Sequence, residues 1–123
     1  MKTRLSAFVA LAGASAVLAA GPVWAHAHLV SSNPAANATV AAAPKVITLT
    51  FSEKVAPAFS KFEVTMPEHG GMKVAIKTAV SADGKSIVGT PAAALAKGAY
   101  KIAWTVASAD GHRMNGEVAF KVG

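Results

Sequence analysis

The chain has 123 residues and four histidines, and two of these histidines stand close together near its start. His26 and His28 follow a segment with the order of a secretory signal peptide. It has cations in the first four residues, an uncharged apolar run over residues 5–20, a helix break at Pro22, and small residues three before and one before a cut after Ala25. The apolar run is about 16 residues long, short of the roughly 20 that a membrane-spanning helix needs. We therefore predict a cleaved signal peptide over residues 1–25 and one exported domain over residues 26–123.

Cleavage after Ala25 would give His26 a free α-amine, and this changes what the residue can bind. The amine and the imidazole Nδ1 of the same residue can hold one metal ion in a six-membered ring. A free α-amine has a pKa of about 7.7–8.0, so a metal displaces its proton at little cost near neutral pH. A histidine inside the chain does not have this option.

A second group of polar residues stands in the segment Ser108-Ala109-Asp110-Gly111-His112, after a long alternating apolar stripe. Asp110 and His112 are two residues apart, so their side chains would share one side if the backbone stays extended. With the two nitrogens of His26 they would form the N,O ligand set that Cu(II) prefers in tetragonal geometry. The alternatives are a plain turn at Asp110-Gly111 and a solvated loop histidine at His112.

His28 offers a rival copper site. After cleavage at Ala25, the segment His26-Ala27-His28 could wrap Cu(II) in a square plane through the amine, two deprotonated backbone amides and the His28 imidazole. We expect the fold to decide between the two modes, because a strand beginning at Leu29 would commit nearby amides to backbone hydrogen bonds. His28 would then be only a neighbour of the site. Cleavage after Ala27 is a further possibility, and it would make His28 the first residue.

The rest of the chain shows the period-two alternation of β-strands. About seven strands are predicted, and they lie near Leu29–Ser31 and over residues 45–52, 62–66, 72–77, 86–90, 100–106 and 118–122. Turn-forming Asn, Asp, Gly and Pro residues separate these segments. The pattern predicts a single antiparallel all-β sandwich or barrel. The Ala-rich residues 35–43 are interpreted as a loop, and residues 91–97 as a loop with room for one helical turn.

Composition excludes several classes of protein. The chain has no cysteine, so the domain must fold without disulfides and cannot hold a blue-copper centre, which needs a thiolate. The net charge is +6, but the basic residues are spread along the chain. Nucleic-acid surfaces instead cluster basic residues with stacking aromatic rings. We expect no nucleic-acid partner.

Several motifs together resemble the CopC family of bacterial periplasmic copper-binding proteins. They are His-x-His-Leu at the cleavage point, Asn33-Pro34-Ala35, Leu49-Thr50-Phe51-Ser52-Glu53, the block from Gly98 through Trp104 and Ser108 to Asp110-Gly111-His112, and Gly116-x-x-x-Phe120-x-Val122. The resemblance covers the whole predicted mature chain. It implies a cupredoxin-like or Ig-like Greek-key β-sandwich or barrel, and a Cu(II) site made by His26, Asp110 and His112.

The same resemblance implies a periplasmic protein that sequesters or ferries Cu(II) in copper homeostasis or resistance, beside an inner-membrane partner of the CopD type. We expect a monomer that is not an enzyme and has no membrane anchor after cleavage. A copper-dependent enzyme of the polysaccharide monooxygenase type is the alternative, since it also chelates copper through an N-terminal histidine. This chain has few aromatic residues with which to build a glycan-binding surface. An exported Ig-like domain without metal is the third possibility.

Some members of that family also hold Cu(I) in a methionine-rich loop with one histidine. The corresponding segment here, residues 66–72, keeps His69 and Met72 at a His-x-x-Met spacing and has Met66 nearby. Thioethers suit Cu(I). The dense methionine run is absent, however, and both methionines also fit the apolar stripes of strands, so core packing is the alternative.

Overall fold

The computed structural model describes residues 26–123, and the predicted signal peptide lies outside this range. The regular structure of the described chain is β-strand apart from two short 3-10 helices, which confirms the predicted fold class. Its strands are β1 Leu29–Asn33, β2 Thr39–Val40, β3 Ile47–Phe51, β4 Lys61–Met66, β5 Met72–Val74, β6 Ile76–Val80, β7 Ser86–Pro91, β8 Gly98–Ala107 and β9 Arg113–Val122. Short 3-10 helices at Pro57–Phe59 and Pro67–His69 precede and follow β4. No helix within residues 26–123 is long and apolar enough to cross a membrane.

The strands form two sheets that pack face to face as a β-sandwich. One sheet has the order β1-β3-β7-β6 and the other has the order β2-β9-β8-β4-β5. Every pair is antiparallel except β2 with β9, which is parallel. In β3, β4 and β9, alternate side chains point inward, as the period-two pattern predicts. The inward residues with the least exposure are Ile47, Leu49, Phe51, Val64, Ile87, Tyr100, Ile102, Val106 and Phe120.

The strand count exceeds the prediction because two segments behave differently from their sequence pattern. The predicted strand over residues 72–77 is two strands, since the chain leaves one sheet after β5 and enters the other at β6. Ala75 forms the corner between them, and its carbonyl accepts a hydrogen bond from the Ala92 amide at 3.0 Å. The Ala-rich loop contains β2, which pairs with the end of β9. Residues 91–97 form no helix.

The β8–β9 hairpin is the main support of the region that contains the candidate ligands. Ten consecutive residue pairs join the two strands, from Gly98–Val122 to Ala107–Arg113. The segment that follows β3 lies against the end of this hairpin: Val55 pairs with Ser108, and the Ala56 amide donates to the Ala107 carbonyl at 2.8 Å. Because β1 pairs with β3, residues 26–28 arrive at the same end of the sandwich.

A buried aromatic pair lies inside this end of the sandwich. Trp104 of β8 meets Phe51 of β3 edge-on, with ring centroids 5.1 Å apart. On β9, Gly116 faces the indole, and a Cβ at that position would lie only 2.5 Å from Trp104 Cζ2. Glycine is therefore required where the backbone passes closely over the indole ring.

Candidate metal centre

The turn between β8 and β9 contains Asp110 and His112. The Ser108 amide donates to the His112 carbonyl, and the Gly111 amide donates to the Ser108 carbonyl, each at 2.9 Å. Gly111 has φ +90°, a conformation that favours glycine. The backbone is therefore not extended here, and the turn that the sequence offered as the alternative at Asp110-Gly111 is present. Asp110 and His112 meet because a tight turn folds the chain back on itself.

Three hydrogen bonds hold the Asp110 carboxylate. Oδ1 accepts from the buried Ser108 hydroxyl at 2.6 Å and from the His112 amide at 3.1 Å, and Oδ2 lies 2.7 Å from His112 Nδ1. These bonds, the one from Ser108 first and the His112 amide next, lower the Asp110 pKa from 3.8 to about 2. Hydrogen bonds to the ionised form favour that form, so the side chain is a carboxylate at any neutral pH.

The carboxylate also sets the proton position on His112. An acceptor 2.7 Å from Nδ1 favours the tautomer with its proton on Nδ1. Nε2 then has the free lone pair that a metal ion needs. This carboxylate–histidine arrangement is the one that commonly orients metal-binding imidazoles. Both oxygens of Asp110 have partners inside the turn, so direct coordination by the carboxylate would use its remaining lone pairs or replace the bond to His112.

His26 lies against His112 even though the two residues are far apart in sequence. Their ring centroids are 4.4 Å apart, with an interplanar angle of 67°. Metal–imidazole bonds are about 2.0–2.1 Å long, so rings this close can share one ion. His26 Nδ1 is buried and has no hydrogen-bond partner within residues 26–123. Buried polar atoms normally have a partner, and an ion or water bound beside this atom would supply one.

The unpartnered atom is the one that the chelate argument requires. His26 Nδ1 is the ring nitrogen that can close a six-membered ring with the α-amine of the same residue. In the unprocessed chain the α-nitrogen of His26 is in a peptide bond to Ala25. Within residues 26–123 there is no cluster of three or more His, Asp or Glu side chains arranged to hold a metal ion. The side chains that meet are the pairs His26–His112 and His112–Asp110.

His28 is held differently from His26. Its amide donates to the Ser52 hydroxyl at 2.9 Å, and its carbonyl accepts from the Ser52 amide at 2.8 Å. β1 begins at the next residue, Leu29, as the sequence predicts. Ala27, between the two histidines, is completely buried in the core. The backbone of residues 26–28 is thus fixed by packing on one side and by Ser52 on the other.

The candidate Cu(I) residues lie at the other end of the sandwich. Met66 ends β4 and is 7% exposed, while its register partner Met72 begins β5 and is 55% exposed. Both line one cleft, and the exposed His69 stands on the 3-10 helix between them. Met66 follows Thr65, which pairs with Lys101 of β8. Lys101 is six residues along β8 from Ala107, where the strand reaches the turn with His112, and this separation is about 20 Å at 3.3 Å per residue. The candidate Cu(I) residues cannot share an ion with His26 and His112, and a Cu(I) site there stays a prediction.

Sequence reasoning missed the part played by Ser108, although a repeat in the sequence could have indicated it. The segment Ser-Ala-Asp-Gly occurs at residues 81–84 and again at residues 108–111. In the first copy the Ser81 hydroxyl donates to Asp83 Oδ1 at 2.6 Å, and the amide of the fifth residue, Lys85, donates to the same oxygen at 3.0 Å. The fifth residue of the second copy is His112. One turn geometry is used twice, and the second copy places a histidine beside the carboxylate.

Comparison with known proteins identifies the family of this chain. The CopC domain family matches residues 29–123. The chain belongs to the CopC family. It is 45% identical over 113 residues to copper resistance protein C of Xanthomonas campestris pv. juglandis, with 88% of each chain covered. The crystal structure of PcoC, described as a methionine-rich copper resistance protein from Escherichia coli, superposes with a TM-score of 0.74 at 41% identity, covering 80% of this chain and all of that one.

A more distant relative is a larger protein. The copper transport protein CutJ of Bacillus subtilis is 31% identical over 101 residues, which cover 81% of this chain but only 18% of CutJ. The CopC-like part is therefore a minor portion of that protein. The resemblance to the CopC family inferred from sequence motifs is confirmed, and so is the sandwich fold that it implies.

Proposed function

We propose that the processed protein binds Cu(II) in the periplasm and sequesters or ferries it in copper homeostasis or resistance. The observation that supports this most directly is the buried, unpartnered Nδ1 of His26, whose ring lies 4.4 Å from the ring of His112. Family membership makes copper the metal to expect, because its relatives are named for copper resistance and copper transport. Signal cleavage would then complete the site by freeing the His26 amine.

In this proposal the copper ion is cargo, and the chain supplies nitrogen and carboxylate groups to it. His26 contributes its amine and Nδ1, His112 contributes Nε2, and Asp110 contributes negative charge beside the ion. Nitrogen and oxygen donors suit Cu(II), which stands at the top of the divalent affinity order. The anionic charge of Asp110 stabilises the divalent ion relative to Cu(I), which favours holding the metal over cycling it.

A binding role also agrees with the surface of the described domain. Among the aromatic side chains of residues 26–123, Phe59 is exposed, while Phe51, Phe62, Tyr100, Trp104 and Phe120 are buried. A single exposed ring provides little surface for stacking on a glycan. We therefore favour a copper carrier over an oxidative enzyme.

The relation to CutJ suggests the kind of partner. In that protein a CopC-like segment is part of a longer chain named for copper transport. We propose that this chain exchanges copper with a separate inner-membrane transporter of the CopD type.

A titration with Cu(II) against a competing chelator tests the function. The protein that begins at His26 should bind at least tenfold more tightly than a form with Ala25 retained, because the second form has no amine at His26. His112→Ala should lose affinity as well, whereas His69→Ala, at the opposite end of the sandwich, should bind as the unmodified protein does. Equal affinity of the two N-terminal forms would refute the proposed site.

A further inference from the structure

We infer that Ser52 favours one of two possible copper sites of the processed N-terminus, the site with His26 and His112. This inference rests on the proposed function, because it concerns the choice between the site with His26 and His112 and the rival site through His28. The sequence permits both. Ser52 is not a ligand of either site, and it acts by holding the backbone of His28.

The rival site makes a specific demand on the backbone. Its four nitrogens are the amine of residue 26, the amides of Ala27 and His28, and the imidazole of His28. All four must turn toward one ion and lie in one plane around it. Any contact that directs the His28 amide elsewhere therefore opposes this site.

Ser52 makes such a contact. The His28 N–H donates to the Ser52 hydroxyl at 2.9 Å, and the Ser52 N–H donates to the His28 carbonyl at 2.8 Å. Both backbone polar groups of His28 are thus directed toward residue 52. Ser52 follows β3 directly, and β3 is a central strand between β1 and β7 that ends at the buried Phe51. The hydroxyl is therefore presented by a rigid part of the sandwich.

The neighbouring residue opposes the rival site in the same way. Ala27 has no exposed surface and belongs to the hydrophobic core. Turning its amide toward an ion in the plane of His26 and His28 would pull its methyl group out of the core. The ring of His26, meanwhile, is already packed against the ring of His112. The present backbone therefore favours the first site over the rival site.

The size of the expected effect follows from the bond that Ser52 makes. A hydrogen bond between neutral groups contributes about 1 kcal/mol, which corresponds to a factor of about 5 in an equilibrium. Removing the hydroxyl should raise the ratio of the rival complex to the His112-containing complex about fivefold. The Ser52→Thr change keeps a hydroxyl and should restore the original ratio.

The experiment uses the processed protein, Cu(II) alone as the probe, electron paramagnetic resonance and visible absorption. Four nitrogen donors, two of them amides, give a stronger ligand field than a mixed N,O set, so the rival complex absorbs at shorter wavelength. Ser52→Ala should show an increased rival component, and the control Ser31→Ala, an exposed serine of β1, should not. In a His112→Ala background, adding Ser52→Ala should tighten Cu(II) binding about fivefold.

Two results would separate failure of the inference from failure of the proposed site. If Cu(II) on the unmodified protein depends on His112, but His112→Ala and His112→Ala/Ser52→Ala bind equally with the same spectrum, the inference about Ser52 is wrong and the site stands. If the unmodified protein already gives the four-nitrogen spectrum and His112→Ala leaves it unchanged, the proposed site itself is wrong. Thermal unfolding of each variant confirms that the fold is intact in these comparisons.

Discussion

Replacing Asp110 by asparagine should damage the copper site while leaving the size and shape of the side chain unchanged. Asparagine Oδ1 can still accept from the Ser108 hydroxyl and the His112 amide, which are the two donors now facing Asp110 Oδ1. The NH₂ group must then point at His112 Nδ1, where an oxygen now lies at 2.7 Å. Because an NH₂ group donates, Nδ1 must become the acceptor and the ring proton must move to Nε2. The nitrogen that should bind copper is then blocked.

The expected loss of Cu(II) affinity is about 10- to 100-fold, the range seen when the carboxylate that orients a metal-binding histidine is removed. A much larger loss would mean that the carboxylate also bonds to copper directly. The measurement is a competitive Cu(II) titration of the processed protein. The repeated turn supplies the matched control, since Asp83→Asn alters the same Ser-Ala-Asp-Gly geometry away from the histidines. If Asp110→Asn weakens binding no more than Asp83→Asn does, the proposed role of Asp110 is refuted.

Two further predictions concern the scaffold. Gly116→Ala would force a Cβ to within 2.5 Å of the Trp104 ring. We therefore expect the free energy of unfolding to fall by about 1–3 kcal/mol, and the Tm to fall by about 4–8 °C per kcal/mol. The control Glu117→Ala, on the outer face, should change stability by less than about 0.5 kcal/mol, and equal Tm values for the two variants would contradict the packing argument. The second concerns pH: because the Asp110 pKa is lowered from 3.8 to about 2, its contribution to stability is complete above 3.8 and is lost as the pH falls through 2. Ser108→Ala should raise that pKa toward 3.8 and make stability depend less on pH. Urea unfolding of the copper-free protein between pH 2 and 5 measures this. Parallel curves of stability against pH for the variant and the unmodified protein would count against the role of Ser108.

Much of the fold could be predicted because strand periodicity is a local property. The stripe from Tyr100 to Val106 alternates cleanly, and those residues form most of β8. The break at Ala75 could not be predicted in this way, because the alternation continues while the hydrogen-bonding partner changes from β4 to β7. A period-two pattern identifies a strand and does not identify its neighbour. For the same reason β2 was missed, since its two residues are ordered by pairing with β9.

The residues of the candidate site can be singled out from the sequence, whereas their arrangement cannot. His26 was singled out by chemistry that follows from cleavage, and the structure brings its ring to His112 through the pairing of β1 with β3 and the contact of Val55 with Ser108. These are long-range contacts that no local pattern contains. The hydrogen bond from Ser108 to Asp110 is local, and comparison of the two Ser-Ala-Asp-Gly segments would have suggested it.

The meeting of His26 with His112 joins the first described residues of the domain to its last hairpin, so nearly the whole domain lies between the two rings. An ion bound by both would act as a reversible cross-link that closes a long loop, and the entropy cost of closing a loop rises only slowly with its length. β1 is an edge strand, held within its sheet by β3 alone. Bound copper would tie down the end of this strand. Loss of the metal would leave β1 with its own hydrogen bonds and the packing of Ala27. Copper binding would then reduce the fraying of the N-terminal end of β1, and fraying would in turn weaken copper binding.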